Sequence, residues 1–189
     1  MIAFRNFIEN YTVLPDHEWK FIQKAFNKKE YSKNEIILAE GRICKYFYFL
    51  EEGLLRYFVL NDGNDVTRFF TIAPYCFTSK DSFRNQTPAT ENIQALKKSI
   101  VWQTTLSQSN KLLELKSWNT FTRNFIHEVQ SYTEELLFEI KTESARQRYI
   151  KLLEKYPGQI QNIPLKYLSI FLGIAPQSLS RIRKNTLKY

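Results

Sequence analysis

The sequence predicts an α+β fold: an N-terminal jelly-roll β-barrel with flanking helices, a long dimerisation helix and a C-terminal helix-turn-helix domain. Three features of the 189 residues predict it. Short alternating apolar runs fill the first half, a stripe at helical spacing follows, and a two-helix pattern lies near the end. We expect domain boundaries at 1–116, 117–141 and 142–189.

The N-terminal segment has helical spacing of apolar residues between Phe4 and Lys28. The pattern is interrupted at Leu14-Pro15-Asp16, and Asp16 is a suitable N-cap for a second piece. We therefore expect two short helices that pack on the domain that follows.

The segment from Glu30 to Thr105 alternates in short blocks that are separated by turn signals. Strands are expected at 35–39, 46–50, 54–60, 66–72, 92–96 and 99–105, with a looser segment over 75–89. The pair Asp62-Gly63 predicts a hairpin, because the turn that matches strand twist requires positive φ. Short strands at this spacing are typical of a small β-barrel or jelly roll.

The period becomes helical after Ser107 and predicts a short helix around 112–115 and a long one from about Asn119 to Ile140. One continuous apolar stripe runs along the long helix through Phe121, Phe125, Val129, Tyr132, Leu136 and Ile140. This stripe is either a core face against the barrel or a seam for a second copy of the chain. A further helix, 143–155, ends at Tyr156-Pro157-Gly158.

Residues 163–184 have the pattern of two helices that meet at a steep angle. Apolar residues form the shared wedge, at Leu168, Leu172, Ile174, Leu179 and Ile182. Ser169 allows close backbone approach, Gly173 supplies the positive φ of the turn, and Pro176 suits the first turn of the second helix. The outer face of that helix carries Gln177, Arg181, Lys184 and Lys188. An amide, a guanidinium and ammonium groups are what a major-groove reader needs.

The net charge of +8 is concentrated at one end of the chain. From Lys141 onward lie ten of the 27 cations and two of the 19 anions, so the earlier part is balanced. This asymmetry favours a polyanionic partner such as nucleic acid. The alternative is a helical hairpin whose charged outer face is merely solvated.

The composition predicts a soluble, cytoplasmic protein. No apolar run approaches the roughly 20 residues of a membrane span, and the N-terminal residues lack the pattern of a signal peptide. Cys44 and Cys76 are expected to be small buried hydrophobes. We expect no metal and no cofactor.

The order of these elements resembles the Crp/Fnr family of bacterial transcription regulators over nearly the whole chain. The likeness is carried by Tyr46-Phe-Tyr-Phe-Leu-Glu-Glu-Gly53, the Asp62-Gly63 hairpin, 144–149 with Leu152-Leu153 and Tyr156-Pro157, and 179–182. It implies a homodimer whose barrel senses a signal and whose C-terminal helices bind a palindromic promoter site. For that reason we favour the dimer seam for the long helix, since two-fold DNA sites are read by two-fold dimers.

The resemblance places the base-contacting positions on Pro176, Gln177 and Arg181. Pro176 makes no hydrogen bond to a base, so the half-site preference is expected to differ from that of the best-known members. The full predicted DNA-binding set is Gln177, Ser178 and Arg181 with the phosphate contacts Lys166, Ser180, Arg183 and Lys184.

The sensing half departs from the family. Relatives that bind cyclic nucleotides hold the phosphate with a Gly-Glu pair and, about ten residues later, an Arg followed by Ser or Thr. Those places hold Thr78-Ser79 and Ala89-Thr90 here, so the guanidinium and the glycine amide are missing. The candidate effector pocket is Thr78, Ser79 and Thr90 with Arg84 from the loop. We do not expect cyclic AMP, and the effector is unknown or absent.

Two other functions compete with DNA binding. One is a small-molecule-binding barrel with a weak or vestigial DNA reader. The other is a cupin-type enzyme, whose metal-dependent members need clustered His and carboxylate ligands. The histidines His17 and His127 lie outside the expected barrel strands, so we do not predict an enzyme.

Overall fold

The computed structural model describes residues 1–186, which form eight β-strands and eight α-helices. The helices are α1 (Ile2–Glu9), α2 (Asp16–Ala25), α3 (Lys80–Asn85), α4 (Leu106–Leu112), α5 (Lys116–Thr142), α6 (Ala145–Lys155), α7 (Leu165–Leu172) and α8 (Pro176–Thr186). The strands are β1 (Asn27–Tyr31), β2 (Ile36–Leu38), β3 (Tyr46–Glu52), β4 (Leu54–Asn61), β5 (Asn64–Ile72), β6 (Tyr75–Phe77), β7 (Asn92–Ala95) and β8 (Ser99–Thr105).

The chain forms two compact units. The first contains Met1–Tyr57 and Phe70–Val129, and the second contains Phe58–Phe69 and the chain from Gln130 onward. The barrel interior and the N-terminal helices lie in the first unit, and α6, α7 and α8 lie in the second.

The strands form two four-stranded sheets, as expected for a jelly roll. Their orders are β1-β8-β3-β6 and β2-β7-β4-β5. In the first sheet β8 is antiparallel to both neighbours, with Tyr31 opposite Ser99 and Phe49 opposite Trp102. Tyr48 pairs with Phe77 where β6 joins the edge.

Two turns depend on glycine. Asp62 and Gly63 both have positive φ, 50° and 76°, which confirms the predicted hairpin turn between β4 and β5. Gly53 separates β3 from β4 with φ of 135°, and a Cβ there would clash with the side chain and backbone of Ser99. A larger residue at position 53 would therefore force β3 and β8 apart.

Some local expectations were wrong. The sequence predicts helical spacing up to Lys28 and no strand before residue 35, so it misses β1, whose residues are polar apart from Tyr31. β1 is an edge strand held by backbone pairing to β8. The segment expected to be loose contains β6 and α3. Asp16 is the first residue of α2 and Pro15 occupies the N-cap, so the expected cap was wrong by one position.

An aromatic core joins the N-terminal helices to β3 and to the first half of α5. Phe4, Trp118 and Phe121 are fully buried, and the rings of Phe4 and Phe49 stack with centroids 4.4 Å apart. Phe125 packs in the same cluster. The first half of the predicted stripe is therefore a core face, which corrects the preference for a dimer seam there. Phe121 and Phe125 are internal because Phe7 of α1 packs against both rings.

Among the helices of residues 1–186, none combines the length and the apolar character needed to cross a membrane.

Candidate nucleic-acid interface and barrel interior

The turn between α7 and α8 has the geometry that its sequence predicts. Gly173 has φ of 70° and ends α7. Its N–H donates to the carbonyl of Ile170, and the N–H of Ile174 donates to that of Ser169, both at 3.0 Å. This pair of bonds is a Schellman motif, which satisfies two carbonyls at the helix end. Pro176 then opens α8, as expected.

The wedge between the two helices is buried. Leu168 and Leu179 are fully buried and Leu172 is 1% exposed, whereas Ile174 and Ile182 are half-buried. Ser169 is also fully buried, and its hydroxyl donates to the carbonyl of Lys166. Because its small side chain is satisfied within its own helix, α8 can lie close against α7.

The opposite face of α8 is open to solvent. It carries an amide, hydroxyls and cations, at Gln177, Ser178, Ser180, Arg181 and Lys184, all exposed. Lys166 is exposed on α7. Lys188, which the sequence places on the same face, lies outside the described residues. The structure thus presents six of the seven predicted DNA-binding side chains to solvent.

The seventh, Arg183, lies differently. Its Nη2 donates to the carbonyl of Ile163 at 3.4 Å, and its guanidinium lies 6.0 Å from the ring centroid of Tyr149. Its Nε is buried without a hydrogen-bond partner among the described residues. These contacts hold Arg183 against α6 and the segment before α7, whereas the other six predicted side chains are open to solvent.

Two more cations of the C-terminal surplus serve the fold. Nη2 of Arg148 donates to the carbonyl of Leu172 at 2.8 Å, at the C-terminal end of α7. Nζ of Lys151 pairs with Glu139 at 2.9 Å and with Glu143 at 2.5 Å. Both carboxylates raise the pKa of Lys151 by hydrogen bonding, Glu143 first. The charge count therefore overstated the cations that are available to a polyanion.

Sequence reasoning missed how α6 begins. Ser144 accepts from the N–H of Gln147, and the Gln147 side chain accepts from the N–H of Ser144, which is a capping box. The Ser-x-x-Gln spacing was a readable signal for it. Tyr149, five residues later, is 2% exposed and carries the packing of α6 against α8.

α5 exposes five large apolar side chains, of which Val129 and Ile140 belong to the predicted stripe and Ile126, Leu137 and Phe138 do not. Ile126 is 61% exposed, Leu137 54% and Ile140 51%. With Gln130 and Thr133 they repeat at alternating steps of four and three residues, which is the spacing of a two-helix seam. The exposed stripe therefore lies one face away from the predicted one and shares only Ile140 with it.

The candidate effector residues do not meet as a group. Thr78 is half-buried, and its hydroxyl donates to the carbonyl of Tyr46 at 3.0 Å. Ser79 is buried at the start of α3. Arg84 and Thr90 are exposed, and no hydrogen bond joins either of them to Thr78 or Ser79.

Hydrogen bonds join the short helix α3 to the backbone of Cys44, just before β3. The Ser82 hydroxyl accepts from the N–H of Cys44 at 2.8 Å and donates to the carbonyl of Thr87 at 2.6 Å. Nε2 of Gln86 donates to the carbonyl of Cys44 at 3.3 Å. Side chains of α3 and its C-cap therefore occupy the backbone groups of Cys44.

The barrel interior is filled by aromatic side chains. The rings of Tyr48 and Phe77 stack with centroids 4.6 Å apart, and Tyr31 is 4% exposed beside them. Burial raises the pKa of Tyr31 to about 12 and that of Tyr48 further. These phenols stay neutral at physiological pH.

The histidines lie on helices outside the barrel. His17 is on α2 and His127 on α5, and both are exposed. Within residues 1–186, no group of three or more His, Cys, Asp or Glu side chains is arranged to hold a metal ion.

Comparison with known proteins first gives a match for the barrel segment. Residues 28–115 match the family model of the cyclic nucleotide-binding domain. No curated protein matches the chain by sequence.

Solved structures then extend the likeness to nearly the whole chain. FixK2 from Bradyrhizobium japonicum is 15% identical with a TM-score of 0.70, covering 86% of this chain and 85% of its own. A CooA mutant from Carboxydothermus hydrogenoformans is 14% identical with a TM-score of 0.68, covering 88% and 78%. A Crp/Fnr family regulator from Eubacterium rectale is 17% identical with a TM-score of 0.66, covering 95% and 88%.

These comparisons confirm the Crp/Fnr resemblance. The chain has the fold of these structures, one of which is a transcriptional regulator of the Crp/Fnr family.

Proposed function

We propose that this protein is a dimeric, sequence-specific DNA-binding transcription regulator of the Crp/Fnr type. The observation that carries the proposal is the division of α8 into a buried apolar face and an exposed polar one. Leu179 is fully buried while Gln177 and Arg181 project into solvent. A helix that packs on the protein through one face and exposes an amide and a guanidinium on the other can lie in the major groove and contact base edges.

The exposed side chains of α8 divide into base-reading and phosphate-binding groups in this proposal. Arg181 pairs with the O6 and N7 acceptors of a guanine, and Gln177 reads an adjacent base. Ser178 lies beside Gln177 on the same open turn. Lys166, Ser180 and Lys184 hold phosphates, which fix the position of the helix without reading sequence. Pro176 offers no donor, so the base opposite it is read weakly or not at all.

The dimer forms through the exposed stripe of α5, whose members repeat at steps of four and three. Three apolar side chains on this stripe, Ile126, Leu137 and Ile140, are each more than half exposed in the single chain. Gln130 and Thr133 between them favour a defined register at some cost in stability. A palindromic promoter site is the expected target of such a two-fold dimer.

The barrel senses something other than a cyclic nucleotide, or nothing. The places that would hold a cyclic phosphate carry Thr78, Ser79 and Ala89, with no guanidinium among them. The Ser82 and Gln86 side chains already use the backbone groups of Cys44. The stacked rings of Tyr48 and Phe77 occupy the barrel interior.

Fluorescence anisotropy tests the DNA proposal. The wild-type protein is titrated onto a labelled duplex from its own upstream region and onto a random duplex of the same length. Arg181→Ala should lower the affinity for the cognate duplex roughly 5- to 150-fold, because one bidentate guanine contact contributes about 1–3 kcal/mol of discrimination. Binding to the random duplex should weaken only slightly.

Lys184→Gln is the matched comparison on the same helix. It should weaken binding to both duplexes about equally. It should also reduce the slope of log K, the binding constant, against log salt concentration by about 0.9. Equal losses of cognate and random binding in Arg181→Ala would remove Arg181 from the reading role. A wild-type protein that does not distinguish the two duplexes would favour a ligand-binding barrel with a vestigial reader.

A further inference from the structure

A cleft of about 190 Å³ lies among α5, α6 and α7 in the second unit, and the DNA proposal does not use it. One wall is apolar and is formed by Leu136, Leu152, Phe171 and Leu172. The cleft is smaller than the roughly 300–1,000 Å³ of pockets for drug-sized ligands, so only a small molecule fits.

The charged groups of this cleft are not all neutralised. Lys151 is held between Glu139 and Glu143, as described above. Lys155 makes no ion pair with a described residue, and its Nζ lies 4.8 Å from the ring centroid of Tyr132. Glu135, the remaining carboxylate of the lining, is exposed, so water screens it.

Arg148 supplies the second observation. Its Nη2 is bound to the carbonyl of Leu172 at 2.8 Å, but its Nε is buried and has no hydrogen-bond partner among residues 1–186. A buried donor without an acceptor is costly, and a guanidinium fork binds a carboxylate through neighbouring N–H groups. Because this Nε is closed to solvent, a ligand oxygen in the cleft removes that cost only if the guanidinium turns toward it and away from Leu172.

We propose that the cleft binds a small organic acid with an apolar body, its carboxylate paired with Arg148 and Lys155. The apolar body lies against Leu136, Leu152 and Phe171. A neutral amide of the same shape offers one carbonyl oxygen to Arg148 but lacks the negative charge and the second acceptor oxygen of a carboxylate, so it binds more weakly.

The site also offers a route to regulation, and this part rests on the proposed DNA-binding function. Arg148 holds the end of α7, and three residues, Gly173 to Ala175, separate that end from α8. A ligand that draws the guanidinium away from Leu172 loosens the turn that orients the reader. Bound acid should therefore change DNA affinity without touching α8.

Isothermal titration calorimetry on the full chain, without DNA, tests the site directly. The probes are phenylacetate and hexanoate, and phenylacetamide is the neutral analogue of the first. We expect saturable binding of at least one acid and weaker binding of the amide. Arg148→Gln should weaken acid binding roughly tenfold or more, because hydrogen bonds to charged groups are the strong ones.

Matched control variants distinguish the loss of a contact in the cleft from the loss of one positive charge elsewhere on the surface. Arg146→Gln lies two positions away on α6, is exposed and does not line the cleft, so it should bind as the wild type does. Lys155→Gln should weaken binding whereas Lys141→Gln, exposed on α5, should not. If circular dichroism shows that Arg148→Gln does not fold, the comparison of Lys155→Gln with Lys141→Gln tests the site instead.

Absence of saturable binding of both acids to the wild type, or equal binding to the cleft variants and their controls, overturns the site. DNA anisotropy with and without phenylacetate is a separate measurement. Failure to bind DNA would refute the proposed function and leave the calorimetric result for the cleft intact.

Discussion

The substitution Leu137→Glu tests the exposed stripe of α5 as the dimer contact. Ile126, Leu137 and Ile140 are 61%, 54% and 51% exposed, so about half of each side chain remains to be buried. Full burial of such a side chain is worth about 1.5–3 kcal/mol, so a dimer would gain roughly 1 kcal/mol from each. Six such side chains in a two-fold dimer contribute roughly 6 kcal/mol before the cost of association.

Leu137→Glu removes two of these contributions and brings two carboxylates together in the seam. The lost burial is about 2 kcal/mol, and desolvation with like-charge repulsion adds at least as much. A total of roughly 4 kcal/mol corresponds to about a thousandfold weaker dimer. Cognate DNA affinity should fall with it, because one reader alone binds a half-site weakly.

Analytical ultracentrifugation across a concentration series measures this shift. Phe138→Glu is the matched control, since Phe138 is 65% exposed on the next position of α5 but lies off the stripe of steps four and three. It should leave the dissociation constant nearly unchanged. Equal effects of the two variants, or a wild type that is monomeric at all concentrations, would refute the assignment of the seam.

Two further predictions concern stability. Leu179→Ala should lower the free energy of unfolding by about 2–5 kcal/mol, because it opens a cavity in the fully buried wedge of α7 and α8; the exposed neighbour Ser180→Ala should change it by less than about 0.5 kcal/mol in the same urea titration. Glu18 accepts from the N–H and hydroxyl of Ser117 at the start of α5, and the hydroxyl is the main reason that its pKa is lowered. A lowered pKa means that the carboxylate stabilises the fold above its unfolded pKa and ceases to do so as the pH falls through the folded value. Glu18→Gln should therefore lower Tm at pH 7 and have little effect near pH 3; a constant difference at both pH values would contradict this role.

Local signals in the chain were sufficient for much of the architecture. Asp62-Gly63 and Gly173 were assigned correctly because positive φ is a property of the residue and its immediate neighbours. The helical period located α5 and the wedge of α7 and α8 for the same reason. The Crp/Fnr resemblance followed from the order of these elements.

The errors have a different origin. β1 lacks the apolar alternation by which a strand is recognised in a sequence. Its stability comes from backbone pairing with β8, a strand some seventy residues away in the chain. Phe121 and Phe125 have the spacing of a dimer seam and of a core face alike. Only the packing of Phe7 from α1 against both rings decides between the two. Periodicity identifies an apolar face but not what covers it.

The charged residues show the same difference between what the local sequence predicts and what tertiary packing decides. Arg181 and Arg183 are two positions apart, both are basic and both lie on α8, so composition treats them alike. Arg181 reaches solvent, whereas Arg183 turns inward to the carbonyl of Ile163 and the ring of Tyr149. Backbone conformation and periodicity are local and can be read along the chain. Which cation meets water, and which meets a carbonyl, depends on residues brought together only by folding.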